Sequence, residues 1–261
     1  MKLPVSKRLL CCAELVPPCR TVADIGTDHG YLGIHLLRTG RCRRVIAADL
    51  REKPLASARA NAAAFGIPEL PIAFPLGGRR HRASPASPMT DAGTFDDSPA
   101  PSGISFLLSD GLHNFEPGSF DVLVCAGMGG DLITRILSDA PWLEGGDYTL
   151  ILQPQSAAHE LRRSLGEWGW SIDRERLVRD GGFLYAVMAV RPGRGRALTP
   201  GEQYISPALR EAGDPLFGAY LARIRRALEL TVSGISQSAD PADRLRADYY
   251  YEALSEVREL V

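Results

Sequence analysis

Lysine is nearly absent from this 261-residue chain, which has only Lys2, Lys7 and Lys53 beside 27 arginines. An excess of charge of either sign is also missing, because 30 basic residues oppose 31 acidic ones. The chain is therefore not a polycation that coats nucleic acid, and any nucleic-acid surface must be a local patch. The arginine excess is best explained by genome base composition, since the chain is also rich in Ala, Gly and Pro. By itself it does not indicate RNA binding.

Long apolar runs and paired cysteines are missing too. No run approaches the roughly 20 apolar residues that a membrane-spanning helix needs, and the apolar segment near Met1 is too short for a signal peptide. The five cysteines form no CxxC pair and the five histidines show no metal-ligand spacing, which argues against a disulfide framework and a zinc site. We therefore expect a cytoplasmic protein with no membrane anchor and no metal. Protein partners cannot be inferred.

Apolar runs, glycines and helical periodicity alternate through residue 192. Residues 20–26 and 45–49 predict strands, while residues 31–37 and 54–65 predict helices, which together make a βαβ unit. The pattern resumes at 104–108, 120–126, 131–137, 148–152, 157–168, 171–172 and 183–190. This order predicts an α/β fold with a doubly wound sheet and helices on both faces.

Two other segments depart from this pattern. Residues 68–103 have no period and are dense in Pro, Ser and Gly, which predicts a long surface insertion. After a hinge at 191–196, amphipathic helices that begin at Ser206 and Asp240 predict a C-terminal α-helical hairpin. We therefore expect one domain over residues 1–192 and a helical hairpin over 193–261.

Four predicted strands end in acidic or glycine-rich segments, where ligands of open parallel sheets bind. Asp49 lies 23 residues after Gly26, near the spacing expected of an acid that binds ribose hydroxyls, and Asp110 is suited to an exocyclic amine. Each segment alone has an ordinary explanation as a turn or a helix cap. All four in order favour a nucleoside-containing cofactor, held by Asp24, Gly26, Thr27, Asp28, His29, Gly30, Asp49, Leu50, Asp110, Gly111, Gly127 and Met128.

The first of these turns, Gly26-Thr27-Asp28-His29-Gly30, is not the GxGxxG of a dinucleotide site. Asp28 would repel a pyrophosphate placed there, so NAD is disfavoured. S-adenosylmethionine carries a sulfonium and an ammonium group, which suit Asp24 and Asp28 better. The charges therefore favour a methyl donor.

The motifs of the chain resemble the bacterial tRNA adenine-22 N1-methyltransferase family. They are Val5–Leu9, Ala23–Leu32 (ADIGTDHGYL), Ser109–Leu112 (SDGL), Ala126–Gly130 (AGMGG) and Leu152–Gln155 (LQPQ). Gly30 stands where many members have alanine, Gln155 where asparagine is common, and the 68–103 insertion is atypical. The resemblance implies a class I, Rossmann-like methyltransferase that uses S-adenosylmethionine, has a C-terminal helical hairpin and acts on tRNA.

In that reaction adenine N1 attacks the sulfonium methyl, so no strong base is needed. Asp28 either stabilises the developing ring charge or only binds cofactor, and Tyr31 either stacks on the adenine or packs in the core. We expect Gln153 to hydrogen-bond the base edge and Gly129 and Pro154 to contact the substrate. Lys7 and Arg8 are expected to contact tRNA, within a segment (residues 1–60) that has 11 basic and 5 acidic residues.

Two other functions remain open at this stage. A methyltransferase of this fold can act on a small molecule or on another RNA, with the hairpin as a lid or a dimer contact. A non-enzymatic RNA-binding module is disfavoured because Asp49 and Asp110 are both retained.

Overall fold

In the computed structural model, residues 3–72, 101–238 and 240–260 are described. Its strands are β1 (Cys19–Ile25), β2 (Cys42–Asp49), β3 (Gly103–Leu108), β4 (Val122–Met128), β5 (Thr149–Pro154), β6 (Ser171–Asp180) and β7 (Phe183–Arg191). They form one seven-stranded sheet in the order β3-β2-β1-β4-β5-β7-β6. The first five strands are parallel, and β7 runs antiparallel to both β5 and β6.

The helices are α1 (Lys7–Leu15), α2 (Tyr31–Arg38), α3 (Glu52–Ala64), α4 (Gly130–Ser138), α5 (Ala158–Glu167), α6 (Pro200–Tyr204), α7 (Pro207–Glu211), α8 (Phe217–Gln237) and α9 (Pro241–Arg258). Side-chain caps begin α1 and α9. Ser6 Oγ accepts the Leu9 N–H at 3.3 Å, and Asp240 Oδ1 accepts the Ala242 N–H at 2.8 Å.

Two hydrophobic layers cover the sheet, as a doubly wound fold requires. One layer joins α1, α2 and α3 to the strands through residues such as Cys12, Leu36 and Ala58. The other joins α4 and α5 through Ile133 and Leu161, and it continues into the C-terminal helices. The predicted fold class is confirmed.

The helical hairpin is present, but its first arm differs from the prediction. Instead of one helix that begins at Ser206, the chain forms α7, then turns at Gly213 with φ +60°, and then forms α8 through Gln237. The glycine in the left-handed region breaks the helix between these two segments. The polar residues 233–237 stay helical, and α6 was not predicted.

The ends of the predicted insertion are part of the sheet. Leu70 N donates to Ile104 O at 2.8 Å and Ile104 N donates to Pro68 O at 3.0 Å, so residues 68–70 pair beside β3. Gly103 is the first residue of β3. Both predicted boundaries of the insertion are therefore corrected inward, and residues 73–100 lie outside the described part of the chain.

A buried polar network joins the sheet to the C-terminal helices. Arg162 of α5 donates to both carboxylate oxygens of Glu175 on β6, to Gln203 O at 3.1 Å and to Tyr220 Oη at 3.1 Å. Ser206 Oγ donates to Glu175 Oε2 at 2.5 Å. Each buried charge thus has several hydrogen-bond partners, which is the condition under which burial of an ion pair is tolerated.

Candidate functional site

The turn after β1 requires glycine at its first position. Gly26 has φ +76°, and its N–H donates to Ala48 O at 2.8 Å. A Cβ at Gly26 would lie 2.8 Å from Met128 Cε, so the methionine of the β4 turn rests on the bare backbone of the β1 turn. The structure therefore brings these two predicted site residues together.

Asp24 is a buried carboxylic acid, 5 % exposed, and no ion pair to it is present among the described residues. The pKa of Asp24 is raised to about 6, chiefly because the carboxyl group is buried. The Thr27 side chain lowers this pKa, and the negative charge of the nearby Asp49 raises it. The Thr27 hydroxyl is itself buried, and its contact with Asp24 falls short of standard hydrogen-bond geometry. Two polar side chains are thus withdrawn from water and incompletely satisfied, which is costly unless a ligand completes them.

The rest of the β1 turn is fixed against α3. Asn61 Nδ2 donates to His29 O at 3.0 Å, and a Cβ on Gly30 would lie 3.0 Å from Ala58 Cβ. The side chain of Asp28 is 77 % exposed and lies 3.4 Å from His29 Nε2. Asp28 therefore lies at the mouth of the site, whereas Asp24 lies at its base.

Tyr31, at the start of α2, is half-buried. Its ring centroid lies 5.5 Å from that of His29 in a stacked arrangement, and the side chain also packs on the core. Both of the roles expected for Tyr31 remain compatible with this position.

At the end of β2, Asp49 is buried and its neighbour Leu50 is exposed. Asp49 Oδ1 accepts the Arg51 N–H at 2.9 Å. No hydrogen bond to Oδ2 is present among the described residues. Asp49 is thus oriented by the backbone while it retains acceptor capacity, as a ribose-binding acid needs.

The segment after β3 forms a tight turn. Gly111 has φ +55°, and its carbonyl accepts the Ser109 hydroxyl at 2.9 Å. Asp110 is exposed and lies 3.9 Å from Arg135 Nη2. The third predicted acid is therefore at the same edge of the sheet, but it is far more hydrated than Asp24 or Asp49.

The turns after β4 and β5 interlock. Gly127, with φ +79°, donates its N–H to Gln153 Oε1 at 3.1 Å; Gln155 N donates to Met128 O at 2.8 Å; and Gly130 N donates to Ser156 O at 2.9 Å. The bulge between Ala126 and Met128 lets the strand turn at this point.

Gly129 and Pro154 belong to the same interlocked turns. Gly129 caps α4 in an extended conformation, and Pro154 pairs with Met128. A Cβ on Gly130 would lie 2.5 Å from Ala157 O, so this position is also restricted to glycine.

The two basic residues expected to contact tRNA are placed differently. Lys7 begins α1 and is exposed. Arg8 is half-buried, because its Nε is 2.9 Å from Asp180 Oδ2 and its guanidinium lies 4.9 Å from the ring centroid of Tyr185. Arg8 is thus held in place by the β6–β7 hairpin, at the end of the sheet where the site lies.

Much of the positive charge of residues 1–60 lies at the opposite edge of the sheet. Arg20 and Arg44 are near the starts of β1 and β2, and Arg38 and Arg41 flank the end of α2. A parallel sheet places the starts and the ends of its strands at opposite edges. The net charge of residues 1–60 therefore does not show how much of the positive charge lies at the edge that holds the site.

Neither a metal nor a membrane is indicated by the residues that the structure describes. No group of three or more His, Cys, Asp or Glu side chains is arranged to hold a metal ion in those ranges. Across the same ranges, every helix is too short or too polar to cross a membrane. The five cysteines are free and buried.

Comparison with known proteins agrees with this geometry. A family model described as tRNA (adenine(22)-N(1))-methyltransferase matches residues 94–255, and a general methyltransferase-domain model matches residues 5–76. The chain belongs to the tRNA (adenine(22)-N(1))-methyltransferase family. The predicted family is therefore confirmed.

Relatives in this methyltransferase family align along the whole chain. The tRNA (adenine(22)-N(1))-methyltransferase of Bacillus subtilis is 26% identical over 100% of this chain and 96% of its own length. The crystal structure of the B. subtilis enzyme TrmK has a TM-score of 0.75 at 23% identity and covers 99% of both chains. A Streptococcus pneumoniae relative in complex with S-adenosyl-L-methionine has a TM-score of 0.69 at 24% identity, over 98% of this chain and 99% of its own.

Sequence reasoning missed the interlock between the β4 and β5 turns of this methyltransferase. Gly130, Gln155 and Ser156 were not selected as site residues, although each contacts the neighbouring turn. The two consecutive glycines Gly129-Gly130 signalled a close backbone approach, but only the sheet order shows that the approaching chain is 155–157.

Proposed function

We propose that this chain transfers a methyl group from S-adenosylmethionine to N1 of adenine 22 in tRNA. The observation that carries the proposal is the family match over residues 94–255. The acids at the ends of β1, β2 and β3 support it, because their order suits the successive parts of a nucleoside bearing a positive charge. The proposed cofactor residues lie in these turns and in the turn after β4: Asp24, Gly26, Thr27, Asp28, His29, Gly30, Asp49, Leu50, Asp110, Gly111, Gly127 and Met128.

The residues present fit this cofactor. Asp49 is oriented to accept ribose hydroxyls, with Leu50 beside it and Asp110-Gly111 placed toward the adenine amine. Asp24 is buried without a cation, and the Gly26 turn leaves backbone exposed where a side chain would block the ligand. A cationic methionine end would supply the positive charge that Asp24 lacks.

The donor supplies a sulfonium methyl: adenine N1 forms the new bond with its lone pair, and the electrons of the broken C–S bond remain on sulfur. The chain therefore needs no strong base, and its main contribution is to hold N1 in line with the methyl group. Gly127 and Gly129 offer bare backbone to the base, with the Met128 side chain between them and the buried Pro154 paired with Met128. We propose that Asp28, which is exposed at the mouth of the site, offsets the positive charge that the ring gains as the bond forms, and that Tyr31 lies beside the ring.

The substrate must be unstacked from the folded tRNA, at a cost of a few kcal/mol. We propose that Lys7 and Arg8 contact the RNA backbone near the site entrance. A tRNA substrate implies a cytoplasmic location. We also propose residues 1–192 as the catalytic domain and 193–261 as a helical hairpin unit. The two parts are joined by hydrogen bonds from Arg162 to Gln203 and Tyr220 and from Ser206 to Glu175.

Incubation of the purified protein with labelled S-adenosylmethionine and total tRNA tests this function. Nucleoside mass spectrometry should detect 1-methyladenosine, and a tRNA with guanosine at position 22 should remain unlabelled. Label in a metabolite extract but not in tRNA would favour a small-molecule methyltransferase instead. Label at another tRNA position would contradict the assignment of adenine 22.

A further inference from the structure

Gln153, which the sequence suggested as the group that binds the base edge, is fully committed inside the protein. It has 0% exposure, its Oε1 accepts the Gly127 N–H at 3.1 Å, and its Nε2 donates to Pro154 O at 3.0 Å. An amide with both ends engaged by the backbone is suited to fixing the β4 turn. It has no exposed atom with which to bind a substrate.

Gln155 has the opposite character, two residues further along the chain. Its side chain is exposed, and within the described ranges no hydrogen bond to its amide is present. Its backbone is fixed, because Gln155 N donates to Met128 O at 2.8 Å. A Cβ built on Gly127 would lie 3.6 Å from Gln155 Nε2, so the amide lies against the bare Cα of that glycine.

The position of Gln155 is continuous with the proposed methyl-donor pocket. Met128 Cε approaches the Gly26 turn, Gly127 adjoins Met128, and the Gln155 amide covers Gly127. A base that lies on the β4 turn with its reactive edge toward the donor would meet this amide. Gln155 thus combines a fixed backbone with a free acceptor and donor at the place where the target base must enter.

We propose that Gln155 is a specificity-determining residue, which accepts a hydrogen bond from the N6 amine of the target adenine. This inference rests on the function proposed above. Adenine presents a donor at N6 and an acceptor at N1, and N1 must keep its lone pair free for the methyl group. An acceptor directed at N6 orients the base and leaves N1 unobstructed. A site built to hydrogen-bond a substrate group discriminates strongly against a base that lacks it.

Two substitutions that keep the side chain nearly as long as glutamine separate the effect of the hydrogen-bond acceptor from the effect of side-chain size. Gln155→Met removes the acceptor, and we expect kcat/KM for tRNA to fall at least about tenfold. Gln155→Glu retains an acceptor, and we expect it to stay within about threefold of wild type. Gln237→Met, at an exposed glutamine that ends α8 away from these turns, is the matched control and should leave kcat/KM unchanged. Binding of S-adenosylmethionine by calorimetry should be unchanged in all three.

A tRNA with purine riboside at position 22 lacks the N6 amine. The ratio of kcat/KM for normal tRNA to kcat/KM for this tRNA would not differ between wild type and Gln155→Met if Gln155 had only a structural role. Loss of the amine makes N1 less nucleophilic for both proteins, so the comparison between them is what counts: wild type should lose about tenfold more kcat/KM on this substrate than Gln155→Met does. Equal sensitivity of both proteins to loss of the amine would overturn this assignment alone, as would full activity of Gln155→Met on normal tRNA. If wild type does not methylate adenine 22, the proposed function fails, and this inference fails with it.

Discussion

Two of the buried carboxylates have opposite surroundings: Asp24 lies at the strand ends of the parallel sheet, and Glu175 lies at the junction with the C-terminal helices. Glu175 receives hydrogen bonds from Arg162 and Ser206, so its charge is compensated within the fold. Asp24 is equally withdrawn from water but has no cationic partner among the described residues, and burial raises its pKa to about 6. A buried charge that the fold compensates stabilises structure, whereas one that it leaves uncompensated indicates a ligand of opposite charge.

The largest expected effect comes from breaking the compensated site. Arg162→Met leaves Glu175 buried without its cation, and we expect the free energy of unfolding to fall by about 3–5 kcal/mol. Denaturant unfolding measures this loss. Arg163→Met is the matched control, since Arg163 lies next along α5 and forms exposed ion pairs with Glu160 and Glu167; it should change stability by less than about 1 kcal/mol. Equal losses in both variants would contradict the comparison.

At Asp24, removal of the charge should have the opposite effect on the free energy of unfolding. Asp24→Asn removes a carboxylate whose pKa is raised from 3.8 to about 6, and two pKa units correspond to about 3 kcal/mol. We therefore expect a gain in stability approaching about 3 kcal/mol at pH 7, together with loss of S-adenosylmethionine binding on calorimetry. A variant that is less stable than wild type, or that binds the donor normally, would show that Asp24 is a structural residue.

The pH dependence of wild type sharpens this comparison. Because the folded-state pKa of Asp24 lies above its unfolded value, ionisation costs stability as the pH rises, so the advantage of Asp24→Asn should develop between about pH 4 and pH 6. Donor binding needs the ionised form, so affinity should be full above pH 7 and fall about tenfold per unit below about pH 6. Calorimetry from pH 5 to 8 tests this. The same pH profile in Asp24→Asn would assign the titration to another group.

The smallest effect is expected at the hydrated acid of the same edge. Asp110→Asn removes the charge but keeps an oxygen that can accept a hydrogen bond from the adenine amine of S-adenosylmethionine. Because Asp110 is also exposed, this variant should weaken binding by only about threefold, with little change in unfolding. Calorimetry and denaturant unfolding of this variant are compared with those of Asp24→Asn. The comparison shows whether loss of a buried carboxylate has a larger effect on binding and stability than loss of an exposed one. A loss as large as that of Asp24→Asn would mean that burial is not what distinguishes the two acids.

The strand and helix order, the glycine turns and the family can be predicted from the sequence, because these depend on local periodicity, backbone freedom and contiguous motifs. Gly26, Asp49 and Asp110 could be selected in this way, since strand ends of a parallel sheet share one edge. The tertiary structure alone decided which side chains at that edge are free. Gln153 and Gln155 carry the same chemical group two residues apart, but the approach of Gly127 and Pro154 encloses the first and leaves the second exposed. The compensation of Glu175 by Arg162 likewise depends on contacts between elements that no sequence period encodes.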